Sequence, residues 1–430
     1  MAKARRKQQA HAPLQGLRVL DLSTMIAGPY SAQILADYGA DVIKIEAPDG
    51  DLMRRGGGHA NSADMGPIYL QLNRNKRSLV LDLKQPAARE ALLRLCRRAD
   101  VLIHNTRPAA MRRLRLTDRD VRKVNPRIIY VGIVGYGQNG PYAAKPAYDD
   151  LIQGISAIPA TLARAVGCEP RFVPVALADR VVGINAAHAI LAALFRRQRT
   201  GKGQSVELPM FETMAQFVLG DHLGGRSFVP QQGPAGYYRL LLATRRPYVT
   251  RDGHVCALVY NDRHWESFFA GLGRPDIYES KPHLAKFASR LKHFDEVYGL
   301  IAEELRGRTT AEALALFERC DIPCAPMHDL DSLIDDPHLA AVGFFQTMPH
   351  PTEGQVRYTG IPSRWNGHAL KITRHAPSVG EHSRAILKEA GVSAREIEAL
   401  IRSGSTADGA IKTGGKGARS GRIAGKSPLS

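Results

Sequence analysis

Apolar positions in the first part of the chain fall into short continuous runs, separated by segments in which they recur at helical spacing. Residues 17–22 form an apolar run carrying Asp21, residues 31–38 place apolar side chains at helical intervals before Gly39, and residues 41–46 (DVIKIE) form a second run. That pattern predicts strand, helix and strand, a βαβ unit of about thirty residues. The alternation continues with a strand at 78–83 (SLVLDL), a helix at 86–98, and strands at 101–104 and 128–134. Strands alternating with helices imply a parallel sheet wrapped on both faces.

Residues 179–199 (DRVVGINAAHAILAALFRRQR) carry an apolar stripe and end in basic residues, and TGKGQ then stops the helix, its glycines permitting a C-cap. A strand at 205–209 and a helix at 211–223 follow, and the texture changes from residue 226. RPYVTRDGHVCALVY reads as a hairpin with Asp252-Gly253 at its turn, helices rich in Leu and Ala come next, and 343–366 is β-like again. At 430 residues the chain exceeds what one core usually serves. The expectation is an α/β fold: a Rossmann-like large domain with a parallel sheet at 13–225, a smaller α+β domain at 226–339, and a return to the large domain at 340–402. The two ends, 1–12 and 403–430, are basic and poor in bulky apolar residues, and are expected to be disordered.

Composition narrows the class. Five scattered cysteines do not form a disulfide framework, and Cys320 and Cys324 in CDIPC lack a second pair or a histidine at zinc spacing, so no metal is expected. No apolar run stays unbroken over the roughly 18 to 20 residues a membrane span needs, and MAKARRKQQA opens without an apolar segment, so a cytoplasmic protein is expected. The formal charge of +18 opens a reading of another class, a nucleic-acid-binding protein. Lys3, Arg5, Arg6 and Lys7 hold +4 of it, and Lys412, Lys416, Arg419, Arg422 and Lys426 against Asp408 another +4. The body keeps about +10, an excess that suits a phosphorylated ligand as well as it suits a solubilising surface. No nucleic-acid-reading motif or aromatic platform accompanies it.

Individual motifs are weaker. Gly135-Tyr-Gly-Gln-Asn-Gly140 has the letters of a dinucleotide fingerprint, but Pro141 and AAKP follow where a helix must open. Gly-x-Ser-x-Gly does not occur, and His104, His188 and His222 are isolated. The runs RLCRRAD (94–100) and MRRLRL (111–116) read equally as solvated helix faces or phosphate-facing edges. Asp179 falls at a strand-like to helical junction, where an acid caps a helix more often than it catalyses.

An ordered set of segments alters that balance. GLRVLDLS (16–23), Ala27-Gly28-Pro29, LADYGADVIKIE (35–46), NRNKRSLVLD (73–82), ADVLIHN (99–105), NPRIIY (125–130), residues 135–141, the block 179–204, RDG (251–253), NDRHW (261–265) and PSVGEH (377–382) together resemble the family III CoA-transferases. The similarity runs in order over about residues 13–402. It implies that Asp179 is a covalent catalyst, and that acyl-CoA and a carboxylic acid are substrates, with no tightly bound cofactor. By matching position, Asn75, Lys76, Arg77, Asn105 and Arg113 would contact the adenosine and phosphates of CoA, and Tyr148 and Gln153 would line the active site. Asn105 reads equally as a strand-end cap. Family members form interlocked homodimers. The racemase branch uses a histidine where Tyr148 stands, and a phenol of pKa about 10 is a poor proton shuttle at an α-carbon, so transfer of CoA is expected and an acyl-CoA racemase or epimerase is the alternative. The glycine loop of the formyl-CoA branch has no counterpart, Gln232-Gly-Pro-Ala-Gly236 being the nearest stretch.

Overall fold

The computed structural model describes residues 12–409. Six parallel strands form one sheet: β1 (Arg18–Asp21), β2 (Asp41–Glu46), β3 (Lys76–Val80), β4 (Val101–His104), β5 (Ile129–Val134) and β6 (Gln204–Pro209). Their spatial order is β3-β2-β1-β4-β5-β6, with Val19 beside both Val42 and Val101. Strands buried on both faces need near-continuous apolar sequence, which is why β4 and β5 are buried throughout. On one face Leu20, Ile43, Leu79, Leu102 and Tyr130 join Leu92, Leu95, Val121, Ile386, Leu387, Ile397 and Leu400 in a single core cluster. The last four come from helices Ser383–Glu389 and Ala394–Arg402, so the end of the chain completes the core begun at its start. Helices Ala27–Asp37 and Leu177–Thr200 contribute nothing to that cluster and meet each other at Gly183.

The chain divides into two compact units. The larger holds residues up to 145, 179–209 and from 343 on; the smaller holds 146–178 and 210–342. In the smaller unit β7 (Tyr248–Val249) and β8 (His254–Ala257) form the hairpin expected around Asp252-Gly253, and β9 (Cys324–Pro326) adds a third antiparallel strand. Its core is aromatic: Trp265, Phe268, Phe269 and Phe317 pack with Ile301 and Leu316. Two features depart from the sequence expectation. Residues 146–178 and the helix Met210–His222 group with the smaller unit, not with a large domain reaching 225. No shift in composition marks either crossing. The tail expected to be disordered from 403 is packed as far as its described residues go: Ser405 and Thr406 are buried, Asp82 N donates to Ser405 O at 2.8 Å, and Thr406 Oγ1 donates to Val80 O at 2.6 Å. Residues 1–11 and 410–430 lie outside the described part.

The 24-residue helix Leu177–Thr200 is long and apolar enough, by length and composition alone, to cross a membrane. One side of it, with Val182, Ala186, Ala187, Ile190 and Ala193, is buried inside the protein.

Candidate active site at the strand-order reversal

In an open parallel sheet the crevice outside the carboxyl ends of the strands, where the strand order reverses, is where ligands bind. Here that point lies between β1 and β4. The loop leaving β1 is held there by side chains from four places in the sequence. Asp21 Oδ1 accepts Ser23 N at 3.1 Å and also takes the Ser23 hydroxyl. Lys44 Nζ donates to Ser23 O at 2.6 Å. Asn105, at the end of β4, accepts Thr24 N on Oδ1 at 3.0 Å and donates from Nδ2 to Thr24 O at 2.7 Å, so it ties the two loops that flank the crevice. Asp51 Oδ1 accepts Met25 N at 3.2 Å, and Met25 has a left-handed φ of 69°. Gly28 follows in the first turn of the Ala27–Asp37 helix, where an added Cβ would lie 2.2 Å from Ser23 Cβ.

Beneath this loop lies a buried ionic network. Lys44 pairs with Asp51, Arg54 with Glu46 and Lys76 with Asp21, all six side chains being at most 1% exposed. Burial opposes the charge on every member. The attraction of Lys76 and Lys44 nonetheless holds Asp21 below the ordinary carboxylate range, and Arg54 does the same for Glu46. Burial pulls Lys76 down to about 8 against the attraction of Asp21. Three cations face three anions, so the floor of the crevice carries no net charge. Sequence reading missed Asp51, Lys44, Glu46 and Arg54. The signal was present, in charged residues alternating with apolar ones inside a strand (DVIKIE) that is buried on both faces.

The expected ligand residues separate into two groups. Asn105 stands in the crevice, and Arg113 is exposed on the Pro108–Leu114 helix that follows it. Lys76 and Arg77 instead begin β3, at the amino end of the sheet, and Asn75 immediately precedes it. Lys76 Nζ is fully buried and donates to Asp21 (2.9 Å), Pro29 O (2.8 Å) and Asn73 Oδ1 (2.9 Å), which occupies all three of its protons. Arg77 is bonded to Asp41 and Glu389. Asn75, at φ 63°, bonds Asp37 Oδ1 and the amides of Thr373 and Arg374. Each of the three thus has a structural role: Lys76 belongs to the ionic network under the crevice, while Asn75 and Arg77 are bonded at the amino end of the sheet.

Asp179 is half-buried in the first turn of the Leu177–Thr200 helix, at the point where the chain re-enters the larger unit. Four residues on, Gly183 abuts the start of the other helix: a Cβ there would sit 2.8 Å from Ala27 O and 3.0 Å from Tyr30 Cδ1. Positions i and i+4 share a helix face, so Asp179 lies on the side turned to the Ala27 end of that helix, about 6 Å beyond Gly183. Arg180 stacks its guanidinium over the Tyr30 ring at 4.5 Å. In the smaller unit Tyr148 is 63% exposed at the N-cap of helix Asp149–Ile155. Gln153 is fully buried; its amide donates to Asp149 Oδ2 at 2.6 Å and accepts Val173 N at 3.0 Å, fixing the run that leads into the long helix. The Gly135–Gly140 segment is a turn, with Gly140 N bonded to Gly137 O and Gln138 N to Glu207 Oε1; no helix opens at its glycines.

The sequence profile of CoA-transferase family III matches residues 14–383. The chain belongs to that family. Among curated relatives, a formyl-CoA:oxalate CoA-transferase of Streptomyces coelicolor is 30% identical, covering 91% of this chain and 98% of its own. The human succinyl-CoA:glutarate CoA-transferase is 27% identical over 88% and 86%, and an acyl-CoA transferase of Fusarium pseudograminearum 31% identical over 89% and 86%. Among solved structures, the Rv3272 protein of Mycobacterium tuberculosis superposes with a TM-score of 0.75 at 28% identity, covering 87% of this chain and 99% of that one. A CAIB/BAIF family protein from Brucella suis gives 0.74 at 28%, over 88% and 99%. This CoA-transferase is therefore an enzyme of acyl-CoA metabolism, with CoA thioesters as its substrates.

Proposed function

We propose that the enzyme transfers CoA from an acyl-CoA to a free carboxylic acid through covalent intermediates on Asp179. The observation that carries this reading is the position of Asp179: a half-buried carboxylate in a helix first turn, on the face that meets the Ala27 end of the switch-point crevice. The Asp179 carboxylate attacks the thioester carbonyl, and the C–S bond breaks to give a mixed anhydride and CoA thiolate. The thiolate then attacks the aspartyl carbonyl, releasing the donor acid and leaving an aspartyl-CoA thioester. An acceptor carboxylate repeats the two steps in reverse order, and the new acyl-CoA leaves with Asp179 free. Each step conserves an activated acyl bond, which requires that water be kept from the intermediates. Backbone N–H groups in nearby turns stabilise the tetrahedral oxyanions.

CoA lies across the crevice, with Asn105 and Arg113 toward its phosphates, where an arginine fork suits phosphate oxygens. Tyr148 and Gln153 keep the role that the family resemblance implies, toward the acyl group. The names of the relatives favour a small dicarboxylic acid as acceptor. We place the enzyme in the cytoplasm, as a homodimer. The dimer is supported by the Leu177–Thr200 helix, which buries one side and still leaves the apolar Ile184 and Phe195 exposed at 40% and 62%. The test is intact-mass analysis after incubation with a panel of acyl-CoAs and a hydroxylamine or borohydride quench. An adduct on the Asp179 peptide, lost in Asp179→Ala, supports the reading. Absence of an adduct together with deuterium exchange at an acyl α-carbon would replace it with the racemase.

A further inference from the structure

The network under the crevice pairs every cation it contains, so a field that draws a polyanion must come from the surrounding surface. Residues 105–124, which lead from the crevice end of β4 back to the start of β5, supply one. Two short helices, Pro108–Leu114 and Asp118–Val124, follow directly on Asn105. The segment has seven cations and two carboxylates, a net of +5. Of the carboxylates, Asp118 pairs with Arg122 at 3.6 Å, and Asp120 closes the capping box with Thr117. Arg107, Arg112, Arg113, Arg115, Arg119 and Lys123 are all exposed, and none forms an ion pair among the described residues. Six exposed like charges on two adjoining helices repel one another at a cost in stability. They therefore mark a surface with a charged partner, and the MRRLRL run is more than a solvated face.

We propose that this surface captures the polyphosphate end of CoA from solution and steers it to the crevice, the outer cations acting without touching the settled ligand. The inference rests on the reading of the chain as an acyl-CoA enzyme. CoA brings a diphosphate and a further phosphate monoester, about four negative charges in all at neutral pH. Oriented charge of this kind raises association rates by roughly ten-fold to a thousand-fold, and salt removes the gain as the screening length falls from about 30 Å at 0.01 M to about 3 Å at 1 M.

The test is kcat/KM as a function of salt for the wild type and for the double variant Arg119→Glu/Lys123→Glu. These two positions lie one turn apart on the same face of the second helix, outside the crevice. The milder pair Arg119→Gln/Lys123→Gln guards against misfolding. Each protein is assayed with an acyl-CoA and with the same acyl group on pantetheine, which has no phosphates. With acyl-CoA at about 0.01 M salt, the charge-reversed pair is expected to lose about five-fold or more in kcat/KM at unchanged kcat, with the gap closing at about 1 M. With acyl-pantetheine the variants should match the wild type at every salt concentration. Variants that equal the wild type on acyl-CoA at low salt, or that lose equally on pantetheine, overturn steering and leave the transferase reading standing. A wild type that transfers CoA from no donor removes both, and that result is visible without any variant.

Discussion

The carboxylate of Asp51 receives the backbone N–H of Met25 at 3.2 Å, and Met25 is held there in the left-handed region at φ 69°. A residue with a side chain reaches that region only when its surroundings over-determine it. Asp51 has the means: it also accepts Met53 N at 3.0 Å and pairs with Lys44 at 2.6 Å, with both side chains fully buried. Asp51→Asn keeps the shape and removes the charge opposite Lys44. Breaking a buried pair from one side costs about 3 to 5 kcal/mol. The expected result is a loss of that order in urea unfolding, with a raised KM for acyl-CoA in whatever fraction stays folded.

Asp179→Ala should separate chemistry from stability. The melting temperature, measured beside turnover, shows whether the variant stays folded, so that lost turnover can be assigned to chemistry. Turnover should fall by about a thousand-fold or more, as for loss of a covalent catalyst. A variant that keeps more than a tenth of wild-type turnover would rule out Asp179 as the acyl carrier.

Asn105→Ala removes both hydrogen bonds to Thr24 and leaves its backbone N–H and C=O to water. Each neutral bond contributes about 1 kcal/mol, so the loss of both should raise KM for acyl-CoA by up to about thirty-fold with little change in kcat. Steady-state kinetics with a saturating acceptor gives the two constants separately.

His104, one residue before Asn105, is buried, and burial pushes its pKa down from 6.5 to about 4 even though its ring bonds Thr106 O. Above pH 6.5 the ring is neutral in both folded and unfolded chains. As pH falls from 6.5 toward 4 the unfolded chain takes up a proton that the folded one refuses, so stability declines through this window and levels off below it. The difference corresponds to about 3 kcal/mol. Denaturation midpoints measured from pH 7 to 4.5 should fall, and His104→Phe should flatten the slope.

The βαβ opening and the hairpin at Asp252-Gly253 were legible because period and turn chemistry agree locally. Asp179 at the start of a long helix was legible for the same reason. The crossings at 146 and 210 were not: which sheet a helix packs on is decided by partners far along the chain, and residues 146–178 carry no local mark of theirs. The trio Asn75, Lys76 and Arg77 shows the converse limit. A basic run looks like a phosphate contact in one dimension, while in three the lysine is the buried counter-ion of Asp21. The tail from 403 misled in the same way. Ser405 O accepts the backbone N–H of Asp82 and the Thr406 hydroxyl donates to Val80 O at the end of β3, which composition cannot reveal.

The larger unit is assembled from three separated stretches, and this sets an order on its birth. Residues up to 145 leave the ribosome with five strands of the sheet, yet β6 comes only after an excursion, Gln204 lying beside Ile129. The helices Ser383–Glu389 and Ala394–Arg402 that finish the first core come almost last. Throughout synthesis of the intervening unit, Leu20, Ile43 and Leu79 wait without their final cover. Long-range closure of this kind makes folding slow and leaves apolar surface open to wrong partners. A polypeptide released before these helices are made leaves that face of the sheet without its cover.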